Sequence, residues 1–134
     1  MRILIAEDVH DNRKNLIDIL KDYGEYDIAN DGLEAFGIIF STIKSGIPYD
    51  LICLSIMLPK MDGFTVLKLT RDIEKQFGFK PENRIKIIIT AELDDRYLRQ
   101  AAFGYGCDGF IEVPNDDKGF KNILNKLGFY KKCQ

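Results

Sequence analysis

The segment DLICLSIMLPKMDG, Asp50 to Gly63, decides how this chain is read. Its first half, Asp50 to Ser55, is apolar on both faces except at its ends, as in a central parallel strand covered by helices on each side. Its second half is a turn, Pro59 to Gly63, ahead of a run with helical spacing. A central parallel strand presents its last residue to a crevice at its carboxyl end, and here that residue is Ser55, between Leu54 and Ile56.

The same alternation of strand and helix runs outward in both directions. Upstream, Arg2 to Ala6 is a short apolar strand ending in an acidic pair, Glu7 and Asp8. Leu16, Ile17, Leu20 and Tyr23 then recur at helical spacing, behind a cap at Asp11 or Asn12, until Gly24. Tyr26 to Ala29 reads as the second strand. Asn30 and Asp31 precede Gly32, and Leu33, Phe36, Ile39, Phe40 and Ile43 trace the stripe of a second helix that ends near Ser45 and Gly46. Downstream, Val66, Leu67, Leu69 and Ile73 mark a third helix that runs out at Gly78, and Phe77 to Arg84 is a longer loop than such units need. Ile85 to Ile89 with Thr90 is the fourth strand, and about Asp94 to Phe103 the fourth helix. Gly109 to Val113 is the fifth strand, broken by Pro114, and Phe120, Ile123, Leu124 and Leu127 belong to a last helix.

Five such repeats predict an α/β fold, a three-layer doubly wound parallel sheet with helices on both faces. Its ligand crevice lies beyond the carboxyl ends of the strands, at the switch in strand order. The groups standing there are Glu7 and Asp8, Ser55, Thr90 and Ala91, and Val113 with Pro114.

Composition bounds the function. The 134 residues fit a single domain, 1–134, with a full core and no room for an output domain. Hydrophobic and charged fractions of 46% and 30% are those of an ordinary globule. Nineteen basic against twenty-one acidic residues leave a net charge of −2 and no footprint for nucleic acid; the Lys131–Lys132 pair is too short to make one. No apolar run reaches the roughly 18 residues of a membrane span, and Met1 leads directly into a strand instead of a signal peptide, so a cytoplasmic protein is expected. Three cysteines, Cys53, Cys107 and Cys133, form no CxxC pair, which fits a reducing compartment. Cys107 has no flanking Lys, Arg or His to activate it and reads as a packing residue, and the lone His10 lacks a partner at ligand spacing.

These segments together resemble a response-regulator receiver domain of the CheY-like type, over nearly the whole chain. MRILIAEDVHDNR resembles that family's first strand with its acidic pair, and PYDLICLSIMLPKMDGF its phosphorylation-site segment. IIITA resembles the fourth strand with its switch hydroxyl, here Thr90, and GCDGFIEVP the fifth strand with its switch aromatic, here Phe110. The resemblance implies a flavodoxin-like (βα)5 sheet of order 2-1-3-4-5 and a place in two-component phosphorelay signalling. Two positions depart from it. Ser55 stands where the family carries its phosphate-accepting aspartate, and Val113 where it carries the lysine that holds the acyl phosphate.

Phosphoryl transfer to a receiver requires a carboxylate nucleophile, a carboxylate to complete the Mg2+ site and a cation on the phosphoryl group. A serine hydroxyl with no neighbouring base and a valine supply none of these. The expectation is therefore a pseudo-receiver, not an enzyme. No catalytic residue is expected, Glu7, Asp8 and Ser55 form a degenerate acidic pocket, and only weak Mg2+ binding through Glu7, Asp8 and the Met57 carbonyl remains, with no other cofactor. Thr90 and Phe110 then act as structural residues. Such a domain works by contact with signalling proteins, a histidine kinase or other regulators, as a monomer or weak homodimer, without nucleic acid or membrane. The resemblance places that contact on the fourth helix, fifth strand and fifth helix, where Asp94, Asp95, Arg96, Tyr97, Arg99, Gln100, Lys118, Lys121 and Lys126 supply the polar side chains. Two other readings stay open: a receiver with residual Mg2+-dependent phosphoryl transfer through Asp8 or Glu7, and a small-ligand-binding flavodoxin-like protein. Against the second, the first strand is followed by two acids instead of a glycine-rich phosphate loop.

Overall fold

The computed structural model describes residues 1–115 and 117–131; Lys132 and Cys133 lie outside these. Its elements alternate: β1 (Arg2–Ala6), α1 (His10–Leu20), β2 (Glu25–Ala29), α2 (Gly32–Lys44), β3 (Leu51–Ser55), α3 (Gly63–Gln76), β4 (Lys86–Ala91), α4 (Arg96–Gly104), β5 (Gly109–Glu112) and α5 (Asp117–Lys126). All strand pairs are parallel, and the sheet order is β2-β1-β3-β4-β5, as expected.

Strand side chains alternate between two apolar layers. Leu4, Ala6, Ile52, Leu54, Ile87 and Ile89 pack with Ala35, Ile39 and Ile43 of α2, Val66 and Leu67 of α3 and Ala102 of α4. Ile3, Ile5, Leu51, Cys53, Ile88 and Ile111 pack on the other face with Leu16, Ile19 and Leu20 of α1 and Phe120 and Leu124 of α5. Every residue of β3 is buried, the consequence of a central strand covered on both sides.

The structure corrects several local readings. The N-cap of α1 is Val9, without a side-chain cap, and Asp11 and Asn12 lie inside the first turn. Asn12 is drawn away by a hydrogen bond to Glu92, while the Val9 N–H is met by the Glu7 carboxylate. The buried stripe of α2 is Gly32, Ala35, Ile39 and Ile43; Leu33 is exposed and Phe36 and Phe40 sit at the edge. Close approach fixes that rotation, because a Cβ on Gly32 would lie 1.6 Å from the Met61 carbonyl oxygen. The segment 77–84 is not a plain loop: it contains a 3-10 turn at Pro81–Asn83. Helix α4 begins at Arg96 because Asp95 caps it, accepting from the Tyr97 and Leu98 N–H groups. Strand β5 ends at Glu112 instead of Val113, ahead of Pro114, which has no N–H to extend the ladder.

Sequence patterning gave no sign of a buried ionic clamp at the opposite end of the sheet. Arg71 of α3 donates to Glu74 at 2.7 Å, Asp108 at 2.8 Å and the carbonyls of Ile85 and Gly106 at 2.8 and 2.9 Å. The same carboxylates accept the N–H groups of Ile85 and Ile87. One guanidinium thereby fastens α3 to the start of β4 and to the turn before β5, and Arg84 adds a longer pair to Asp108 at 3.5 Å.

Arg71→Ala leaves the buried Glu74 without its cation, Asp108 keeping only the longer pair with Arg84 at 3.5 Å, and costs about 3–5 kcal/mol in chemical denaturation. Arg99→Ala, which breaks a half-exposed pair with Asp94, costs less than about 1 kcal/mol.

Candidate functional site

The carboxyl ends of β1, β3 and β4 meet at one edge of the sheet. Register places Ser55 beside Thr90 and Leu54 beside Ala6, so the residues that follow β1 and β4 flank the serine. The chain beyond β3 is held tightly: the Ile56 N–H donates to the Thr90 carbonyl at 3.0 Å and the Gly63 N–H to the Ile56 carbonyl at 2.8 Å. A Cβ on Gly63 would lie 2.1 Å from the Ser55 carbonyl oxygen, so the start of α3 abuts the strand end.

A cavity of about 220 Å³ opens there, lined by Glu7, Val9, Ser55, Met57, Ala91, Glu92 and Val113. Ser55 is 6% exposed and Glu7 only 1%. One Glu7 oxygen accepts the Val9 N–H at 3.2 Å; the other, Oε1, has no hydrogen-bond partner among the described residues. Burial pushes the Glu7 carboxyl above the usual carboxylate range, and the nearby charges of Asp8 and Glu92 push the same way, against the Val9 and Asp8 N–H groups. Arg13 of α1 donates to the backbone carbonyls of Glu7 and Asp8. Thr90 is fully buried and its hydroxyl has no partner among the described residues.

Of the sequence-derived site residues, the fold brings Glu7, Ser55, Met57 and Val113 to one cavity. Asp8 is exposed and is not among the residues lining it. Met57 is 80% exposed at the rim, and Val113 is packed in the core layer of α1 and α5. Phe110 is 2% exposed, its ring covered by the Arg99 guanidinium at 5.0 Å. Among the described residues no group of three His, Cys, Asp or Glu stands close enough to hold a metal ion. A divalent hard cation at this edge would meet the buried Glu7 carboxylate, the exposed Glu92 carboxylate already held by Asn12, one hydroxyl and four apolar walls, a poor fit to the oxygen shell Mg2+ requires.

Sequence reasoning missed two braces that shape the cavity. Asn12 Nδ2 donates to Glu92 Oε1 at 2.9 Å, tying α1 to the loop after β4. Three residues on, Asn15 exchanges two hydrogen bonds with the Asn115 backbone, both 3.0 Å, tying α1 to the loop after β5. The available signal was two asparagines on one helix face, residues that are poor helix formers unless their amides are used elsewhere.

On the face formed by α4, β5 and α5, a second, shallower cavity of about 190 Å³ is lined by Arg99, Phe103, Phe110, Ile123, Lys126 and Leu127, with Asp108 and Gly109. Tyr97 is 75% exposed there, with Arg96 near its ring, while Asp94 is paired with Arg99 and Lys121 with Asp117. Cys107 is buried, and burial pushes its thiol up to about 11.

Comparison with known proteins places these features in context. Residues 3–125 match the response regulator receiver domain family. Hybrid signal transduction histidine kinase L of Dictyostelium discoideum is 34% identical over 95% of the chain, which covers 7% of that kinase. The chain spans a tenth or less of the first curated relatives it matches. Among solved structures, the Saccharomyces cerevisiae complex of the histidine phosphotransfer protein Ypd1 with the receiver domain of Ssk1 aligns at a TM-score of 0.77, with 26% identity over 92% of this chain and 86% of that one. The CheX-CheY-BeF3-Mg2+ complex of Borrelia burgdorferi aligns at 0.80, with 24% identity, 95% and 88% coverage, and the same fold. No helix among the described residues is long and apolar enough to cross a membrane.

Two outcomes follow from this geometry. Asn12→Ala removes the tie to Glu92, costs about 1 kcal/mol in stability and speeds amide exchange at residues 91–95 more than in β3. With its thiol displaced from an ordinary value of 9.0 to about 11, Cys107 holds about a hundredfold less thiolate at neutral pH and resists iodoacetamide in the native protein. The folded state favours the protonated thiol, so this contribution to stability is lost as pH rises through about 11.

Proposed function

The chain belongs to the response regulator receiver domain family, and on that premise we propose that it is a pseudo-receiver, a signalling domain that works by protein contact without accepting a phosphoryl group. The observation that carries this reading is the makeup of the cavity at the sheet edge. Its residue at the end of the central strand is a hydroxyl, its fifth-strand residue is Val113, and none of its seven lining residues is basic. An aspartyl phosphate at position 55 has no carboxylate from which to form. A phosphoryl group beside Glu7 and Glu92 meets negative charge with no lysine or arginine from the lining to offset it.

The two asparagine braces support the same reading. A phosphoryl group at this edge would order the loops after β4 and β5 through contacts of its own. Here α1 ties both loops by hydrogen bonds of 2.9–3.0 Å that require no ligand. Phe110 is already inside, and its position is fixed by packing and by Arg99.

Contact with partners is assigned to the face of α4, β5 and α5. Tyr97 and Arg96 supply an exposed aromatic and a cation, and the shallow cavity beside Phe103 and Leu127 supplies apolar area. Signalling proteins of phosphorelay systems, a histidine kinase or a phosphotransfer protein, are the partner class that fits a member of this family, and a cytoplasmic setting goes with them.

The test is intact-mass analysis after incubation with acetyl phosphate and Mg2+. The wild-type chain gains no phosphate, Ser55→Asp alone gains little, and the Ser55→Asp, Val113→Lys pair gains labelling that survives long enough to detect. Phosphate on the wild-type chain, at Ser55, Asp8 or Glu7, contradicts the proposal.

A further inference from the structure

The cavity at the sheet edge combines features that neither a phosphoryl group nor a hard divalent cation matches. Four of its seven lining residues, Val9, Met57, Ala91 and Val113, are apolar. Its buried charge is Glu7, whose Oε1 lacks a partner among the described residues, and Ser55 adds a hydroxyl. The second carboxylate in the lining, Glu92, is engaged by Asn12 through Oε1. A buried carboxylate oxygen without a hydrogen-bond donor is costly, and a ligand that supplies both the donor and the compensating charge relieves that cost.

We infer that this cavity is a binding site for a small primary alkylammonium ion, with its ammonium group on Glu7 and Ser55 and its alkyl part against Val113, Met57 and Ala91. An ammonium group carries three donors and one positive charge, which suits one carboxylate oxygen and one hydroxyl. The alkyl segment takes the apolar walls that a hydrated metal ion leaves unmatched. About 220 Å³ has room for a molecule of about four to seven heavy atoms. The ligand also delivers to this edge a positive charge that none of the seven lining residues supplies, while Arg13 is committed to backbone carbonyls. The inference stands on the shape and chemistry of the cavity and is independent of whether any residue accepts phosphate.

The experiment is a titration of the whole chain, followed by amide chemical shifts, with n-propylammonium chloride, and with n-propanol, sodium chloride and MgCl2 as separate arms. n-Propylammonium is expected to saturate with a dissociation constant on the order of 1 mM, shifting Glu7, Ser55, Ala91 and Val113 together. The neutral alcohol binds at least about tenfold more weakly. Glu7→Gln, which keeps shape and loses charge, weakens n-propylammonium by about tenfold or more, and Val113→Lys abolishes its binding by placing a tethered ammonium in the same space. The wild-type comparison of cation with alcohol needs neither variant to fold. Equal binding of n-propanol, no saturation by about 20 mM, identical binding to Glu7→Gln, or MgCl2 producing the same shifts at lower concentration would each overturn the assignment.

Discussion

The carboxyl end of β3 has almost no freedom, and the chemistry of the molecule follows from that confinement. Its neighbours run parallel on both sides in fixed register, the Ile56 N–H is spent on Thr90, and Gly63 closes against the Ser55 carbonyl. Shifting the strand by one residue would turn its apolar side chains into the wrong layer on each face. The identity of one side chain at position 55 therefore sets what the cavity contains, and here it contains a hydroxyl. The fold is that of a receiver, and the residue it presents at this position is Ser55.

At the other end of the sheet the constraint is electrostatic. Arg71, Glu74 and Asp108 join α3, β4 and the turn before β5 through a network in which carboxylates also take up backbone N–H groups. The two ends differ in how their charges are matched. The Arg71 network is closed, with donors and acceptors paired inside the protein, whereas Glu7 is buried with one oxygen lacking a partner among the described residues. Closed networks hold a fold in place, and open ones invite a ligand or a pKa shift.

Much of this was legible in the sequence. Alternating apolar runs with Gly and Pro punctuation located all ten elements, because burial on both faces leaves a continuous signal in strands such as Leu51–Ser55. The rotation of α2 was not legible: Leu33 and Phe40 are as apolar as Ile39, and only the contact of Gly32 with Met61 decides which face turns inward. The same limit applied to the site. Glu7, Ser55 and Val113 were found from their places at strand ends and Met57 through the family resemblance, but Glu92 and the asparagines of α1 act through hydrogen bonds between residues 80 and 100 positions apart. Asp8 was grouped with Glu7 by adjacency, and alternation along the chain sends the two side chains to different surroundings.

On the proposed reading, no phosphoryl-like group has a seat at the end of β3. Adding beryllofluoride with Mg2+ to the wild-type chain and following the amides of Ser55, Thr90, Ala91 and Phe110 by NMR tests it most directly. These resonances are expected to stay where they are at concentrations far above that of the protein. A saturable displacement of all four at one equivalent of ligand, with Phe110 changing its packing, would contradict it.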